Sequence, residues 1–273
     1  MKKETKEKKP AIKKSKKEKT QSFDKGDKIK AFLKKTWDKL LELIYPSGIT
    51  CDCCKSELIA KTRYNLCAKC IENLPLIKGK KCLVCGCPIN NEADYCLKCE
   101  GKIPSYEINR APFSYEGIVK DMLLKLKFGG KRYFVNTLAP FMADCFLENG
   151  MSADIVAFVP MTAKEKRKRG FNQAELLAGE VAKRLSLPVT NALTKMKETK
   201  GQKNLTAKER AENLKGAFSA LNDIFTNKTV LLIDDVFTTG ATAEECALAL
   251  KKAKAKKVFV LTAAVTESKL YMV

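Results

Sequence analysis

The 273-residue chain carries 52 Lys+Arg against 31 Asp+Glu, a formal net charge of +21, and 45% of its residues are hydrophobic. That apolar share excludes global disorder and allows one ordinary domain beside a smaller one, while the charge favours anionic partners such as nucleic acid, nucleotides or a membrane surface. There is no His, which excludes imidazole bases, Ser-His and Cys-His nucleophile pairs, and His metal ligands.

Residues 1–30 read as a disordered Lys-rich tail; residues 1–36 hold 15 Lys against 5 acids, a local +10. Residues 31–47 read as an amphipathic helix, with Phe32, Leu33, Trp37, Leu40, Leu41 and Ile44 near helical spacing and Pro46 ending it. The helix either docks on the next domain or anchors the chain on a membrane surface. "LLELIYP" is broken by Glu42, and no apolar run reaches the ~20 residues of a membrane span. The expected location is cytoplasmic, peripheral to the membrane if that helix anchors. In the cytoplasm the 12 cysteines read as metal ligands and not as disulfides.

Residues 48–104 form a Cys module holding ten of those cysteines. Four CxxC pairs follow in order: Cys51/Cys54, Cys67/Cys70, Cys82/Cys85 and Cys96/Cys99. One CxxC turn aims two thiolates at one ion, and two turns complete a tetrahedral four-cysteine zinc site. Four thiolates close the shell, so the zinc is structural and not catalytic. Two sequential ribbons are the simplest pairing; a cross-braced pairing, first with third and second with fourth, is the alternative. Cys53 and Cys87 are spare thiols, and Cys145 and Cys246 fall on helical faces and read as core.

Residues 105–273 read as an α/β domain. Val119, Met122, Leu123 and Leu126 make one helical face; Phe134, Leu138, Phe141, Met142 and Cys145 make another. "DIVAFVP" (154–160) is a predicted strand, a helix follows "RGFNQ", and a polar Lys-rich loop covers 194–206. "TVLLIDD" is a buried strand, 241–253 a helix and "KVFVLTAAV" a further buried strand. Continuous apolar strands alternating with amphipathic helices predict a parallel sheet covered on both faces.

The stretch "VLLIDDVFTTGAT" concentrates the chemistry. A strand delivers Asp234 and Asp235 to a crevice at its carboxyl end. The loop after it, Thr238, Thr239, Gly240, Ala241 and Thr242, is small enough for the unpaired amides of the following helix to approach an anion. Thr242 and Glu245 fit a capping box. Hydroxyls a few ångströms from a phosphate would satisfy both features, as in a ribose 5-phosphate. No GxxxxGK[ST] occurs, so no ATP-motor loop is predicted.

That stretch resembles the phosphoribosyl pyrophosphate (PRPP) motif of type I phosphoribosyltransferases. More of the chain, roughly residues 40–268, resembles the ComF family of competence proteins, which join a zinc ribbon region to a phosphoribosyltransferase-like domain. The resemblance is carried by "LLELIYPSGITCDCC", "YEGIVKDMLLKLKFGG", the "VP" at 159–160 with "RGFNQ", and "TKGQKNLTAKERAENLKGAF". The Lys-rich extension departs from the family, as do Lys195, where Arg is common, and Gly201, where Pro is common.

The resemblance implies a type I phosphoribosyltransferase-like parallel sheet with helices on both faces, preceded by a zinc module and a disordered basic tail. It assigns Asp234 and Asp235 to the cationic ribose, and residues 238–242 to the 5-phosphate. Pyrophosphate maps to Pro160, Met161, Thr162, Ala163 and Lys164, followed by the basic run Lys166, Arg167, Lys168 and Arg169. A flexible hood spans Lys195, Gln202 and Arg210. Cofactors are structural Zn2+ and Mg2+ arriving with PRPP. The implied role is handling single-stranded DNA during uptake, with PRPP or a related nucleotide as ligand and competence-machinery partners such as a DNA-translocating ATPase. An active phosphoribosyltransferase of nucleotide metabolism and a non-catalytic PRPP sensor remain the alternatives.

Overall fold

A computed structural model describes residues 49–60, 62–89, 93–198 and 206–266. The chain divides into two compact units, Met1–Ser47 and Gly48–Val273. The first, with the predicted tail and amphipathic helix, lies outside the described residues, as does Gln202. No helix among the described residues is long and apolar enough to cross a membrane.

The expected parallel sheet is present. Its centre is β6 (Thr229–Phe237) beside β7 (Lys257–Val265), flanked by β3 (Ile155–Phe158) on β6 and by β1 (Asn109–Arg110) and β2 (Phe113–Ser114) on β7. Every pairing in this sheet is parallel, with Ile233 opposite Leu261 and Asp234 opposite Thr262. Successive side chains point to opposite faces. Leu231, Ile233 and Leu261 pack under α2 (Gly117–Phe128), α3 (Phe134–Glu148) and α5 (Gln173–Leu185). Val230, Leu232, Val258 and Val260 pack under α8 (Ala241–Lys252). Burial on both faces explains why these strands read as unbroken apolar runs.

Local signals set the connections near the sheet's carboxyl edge. Thr162 and Glu165 form a reciprocal capping box that starts α4 (Ala163–Arg169), and Gly170 at φ 83° ends it. Asn172 then caps α5, its side chain accepting from the Ala174 amide at 3.0 Å and donating to the Val159 carbonyl at 2.9 Å. "RGFNQ" is therefore a stop-and-start between two helices, tied to the end of β3.

Three expectations change. The strand over 154–160 shortens to β3, because the Val159 amide makes the last bond to β6, at 3.0 Å to the Ile233 carbonyl, and Pro160 has no amide to continue the ladder. The loop over 194–206 opens in β4 (Leu193–Lys195), which pairs antiparallel with β5 (Phe218–Ala220) because Leu193 and Phe218 bury in the core beneath α8. Thr206 then caps α6 (Ala207–Leu214) through a box with Glu209. Finally, Thr242 and Glu245 form no capping box. Gly240, at φ 82°, precedes α8, and Glu245 accepts instead from the Gly216 amide at 2.8 Å.

The two ribbons pack on opposite faces of the sheet. Cys51, Leu66, Cys70 and Leu74 join the core on the α3 side, where the Tyr64 ring stacks on Phe141 at 3.8 Å and Thr137 donates to Asp52 at 2.5 Å. The short helix α1 (Ala68–Glu72) carries Cys70 there. Cys82, Cys85, Cys87, Cys96 and Cys99 join the core on the α8 side. There the ribbon hangs on β1, with the Asn109 amide donating to Val84 at 2.7 Å and Asn109 Nδ2 to Cys85 at 2.7 Å.

Candidate functional site

Both expected carboxylates sit at the carboxyl end of β6, and they diverge. Asp234 lines a cavity of about 20 Å3 with Thr242, Ala243 and Thr262, on the α8 side. Burial, and then the Asp235 charge, holds its carboxyl well above the usual carboxylate range. Its Oδ1 accepts from the Asp235 amide at 2.8 Å. Asp235, 6% exposed, turns to the other face. Its Oδ1 accepts from the Val236 amide at 3.0 Å, and its Oδ2 accepts from Gln173 Nε2 at 3.2 Å and lies 3.5 Å from Lys127 Nζ.

That second face holds residues for which the sequence reading had no role. Lys127 closes α2 and Gln173 opens α5, and both converge on Asp235. Arg169 Nη1 donates to Gln173 Oε1 at 2.8 Å, which extends the chain to a second cation. Tyr115 is near enough that the Lys127 and Asp235 charges act on its phenol, which burial raises. "RGFNQ" and "KLKFGG" were recognisable as patterns. No periodicity or spacing within them says that Gln173 and Lys127 meet at Asp235.

The loop 238–242 runs from β6 into α8. Gly240 lies in the left-handed region, and a Cβ there would fall 2.8 Å from Phe237 Cζ. Only glycine combines that backbone with that closeness. Gly240 brings no side chain to cap the helix, and the Ala241 amide donates to Thr239 Oγ1 at a long 3.4 Å. Glu244, one turn in, accepts from Ser105 N at 2.9 Å and Ser105 Oγ at 2.6 Å, anchoring the helix start to the segment that leaves the second ribbon. Between that ribbon and the loop lies a cavity of about 520 Å3, walled by Val84, Ile103, Tyr106, Phe237, Gly240 and Ala241 among others.

Of the expected pyrophosphate loop, Pro160, Met161 and Thr162 connect β3 to α4 at the same carboxyl edge, while Ala163 and Lys164 already form the first turn of α4. Its cations are partly matched: Lys164 pairs with Glu198 at 3.0 Å and Lys166 with Glu175 at 2.7 Å. Of the expected hood, Lys195 ends β4 and Arg210 lies on α6. Lys195 Nζ, its side chain only 8% exposed, reaches Glu165 at 3.0 Å. Burial acts to raise the Glu165 carboxyl, but the Thr162 amide and Lys195 outweigh it and hold it below the usual range.

The cysteines form two four-sulfur sets, Cys51/Cys54/Cys67/Cys70 and Cys82/Cys85/Cys96/Cys99, with the sulfurs of each within 4.8 Å of one another. The pairing is sequential and not cross-braced. Four convergent thiols fit a tetrahedral zinc and leave no open position for chemistry. Cys53 and Cys87 stand outside both sets. Cys145 and Cys246 are buried, and burial pushes the Cys145 thiol up to about 11, as suits core packing.

The fold and the β6–α8 loop define a phosphoribosyltransferase-type domain carrying a double zinc ribbon. The model of the phosphoribosyl transferase domain matches residues 172–270, and that of the double zinc ribbon domain residues 40–100. Competence protein F of Haemophilus influenzae is 29% identical over 214 residues, covering 74% of this chain and 90% of that protein. Competence protein ComFC of Bacillus subtilis is 29% identical, covering 74% and 86% respectively. The DNA utilization protein YhgH of Escherichia coli is 28% identical over 172 residues, covering 61% and 75%. The chain is thus a homologue of these competence proteins that joins the two domains in one polypeptide.

Proposed function

We propose that the chain is a DNA-uptake factor that handles single-stranded DNA and binds PRPP in the β6–α8 loop. The observation that carries the PRPP reading is the left-handed turn at Gly240, which opens α8 directly beyond two carboxylates at the end of β6. A helix start lined by small residues is suited to a phosphate, because its N-terminal amides carry partial positive charge that an anion can approach. Thr238, Thr239 and Thr242 add hydroxyl donors around the 5-phosphate. Asp234 and Asp235 supply the negative charge at the end of β6 that faces the ribose side of the ligand.

The pyrophosphate then lies toward residues 160–164, where Lys127 and Arg169 supply positive charge from the Asp235 face. Mg2+ arriving with PRPP would be held mainly by the substrate's phosphates and would neutralise their charge beside residues 160–164. The zinc ions hold the ribbons against the sheet and take no part in the chemistry. The DNA role is supported by the competence and DNA-utilization names of the relatives and by the net charge of +21. Without a phosphate-binding ATPase loop, any motor for transport belongs to a partner, such as a DNA-translocating ATPase.

Purified protein titrated with PRPP plus Mg2+, and with labelled single-stranded DNA, each in competition with the other, tests this reading. Both ligands should bind. Asp235→Asn should weaken PRPP about 10- to 100-fold through loss of charge-assisted contacts of ~1.5–3 kcal/mol. Binding of DNA but not PRPP would remove the phosphoribosyl part. PRPP-dependent pyrophosphate release with an added acceptor, abolished by Asp235→Asn, would instead make the chain a phosphoribosyltransferase. PRPP that shifts DNA affinity without turnover would make it a sensor.

A further inference from the structure

Among the exposed large apolar side chains of the described residues, Phe128 is the one aromatic ring set in a cationic surround. Phe128 ends α2 with 72% of its surface exposed, directly before Gly129 and Gly130. Its surroundings are cationic. The Arg169 guanidinium lies over the Phe128 ring at 5.6 Å. Arg132 lies over the Phe171 ring at 4.6 Å, and its Nη2 is 3.8 Å from where a Cβ on Gly170 would stand. The corner between α2 and α3 is thereby locked to the end of α4. Lys125 and Lys131 on that corner, and Arg167 and Lys168 on α4, are exposed. Acids reach into the patch at its margins: Glu175 takes Lys166, Glu198 takes Lys164, and Asp235 takes Lys127.

We infer that this corner, with Phe128 at its centre and Lys125, Lys131, Arg132, Arg167 and Lys168 around it, is a binding surface for single-stranded nucleic acid. The inference rests on the proposed DNA-handling role and says where on the molecule it resides. The cations follow a phosphate backbone, and the ring offers a stacking platform for an unpaired base. A duplex keeps its bases stacked inside and cannot use Phe128, so the arrangement favours a single strand. An acidic protein surface or an anionic membrane would meet the same charge but would gain no stacking. The surface abuts the phosphoribosyl site through Lys127, which joins the same α2 end to Asp235. A bound strand therefore ends beside the PRPP pocket.

The test uses the full zinc-loaded chain, a labelled oligothymidylate, the matching duplex and anionic phospholipid vesicles, with PRPP binding measured in parallel. Phe128→Ala should weaken single-strand binding about 5- to 100-fold, the range of one lost base stack. It should leave duplex, vesicle and PRPP binding unchanged, together with the salt slope. Phe128→Trp should restore the affinity and show fluorescence quenching on DNA addition. Arg167→Ala with Lys168→Ala should reduce the slope of log affinity against log salt by about 1.4, the release of roughly two counterions from a single strand. If wild-type protein binds the strand and all these variants bind it equally, the surface is wrong while the DNA role stands. If wild type binds no strand at all, both fall. If Phe128→Ala weakens vesicle binding instead, the surface belongs to a membrane and the inference is overturned.

Discussion

The two zinc ribbons share a cysteine pattern and differ in how they are built into the molecule. The first leaves Cys54 exposed and meets α3 through side chains: Asp52 with Thr137, Tyr64 with Phe141, and Arg63 with Asp144. The second buries all four ligands and is held by backbone carbonyls, with Asn109 on Cys85 and Arg110 Nη1 on Cys82 at 3.3 Å and Leu83 at 3.2 Å. It also walls the cavity beside the β6–α8 loop. The same motif thus braces a helix on one face and walls the cavity beside the β6–α8 loop on the other. Losses in the second ribbon should reach function, and losses in the first should stop at stability.

The largest expected effect separates them directly. Cys82→Ser should release one zinc and cost about 5 kcal/mol or more, a fraction of the ~10–16 kcal/mol that structural zinc contributes in peptides. PRPP affinity should fall with it. Cys54→Ser should also lower zinc content but leave PRPP affinity near wild type. Metal analysis, thermal melts and PRPP titration on both variants check this, and equal losses of PRPP binding would erase the distinction.

Next comes Asn109→Ala, which strips a fully buried donor from the second ribbon and leaves the Cys85 carbonyl unpaired. It should cost about 1–3 kcal/mol in denaturant unfolding. On the first ribbon, Asp52 offers a change of opposite sign. Burial raises its carboxyl above the ordinary value of 3.8, outweighing Thr137 and Lys55. The penalty is absent below that value and complete above the raised one, so Asp52→Asn should be more stable than wild type at neutral pH and lose that advantage in acid. Glu165, held low by Thr162 and Lys195, runs the other way: its contribution is present above 4.5 and lost as pH falls through its depressed value. Melts of Glu165→Gln across acid pH should therefore converge on wild type. The smallest effect is Arg63→Ala, which removes an exposed pair and should cost under about 1 kcal/mol.

The parallel sheet was legible because β6 and β7 bury both faces, and a strand so placed can hold little but apolar residues. The zinc ligands were legible because two thiols per turn leave a fixed spacing, although whether adjacent or alternate pairs closed each site depended on tertiary packing. The strand-to-helix turn at Gly240 was legible from the small residues around it, and Gly240 does take a left-handed backbone there. The Thr242–Glu245 box misled because the backbone turned earlier, at Gly240, and Glu245 was drawn to Gly216. Lys127 and Gln173 were invisible because they reach Asp235 from helices 108 and 62 residues away in sequence. Lys195 read as a loop cation, whereas β4 buries it against Glu165.

The central claim is that PRPP docks on the β6–α8 loop beside the second ribbon. Hydrogen exchange of the zinc-loaded chain with and without PRPP plus Mg2+ tests it most directly. The account predicts slowed exchange at the amides of 238–243, with a smaller effect at 103–106 behind the cavity and none around Cys51–Cys54. Slowed exchange in the first ribbon with 238–243 unchanged would contradict it.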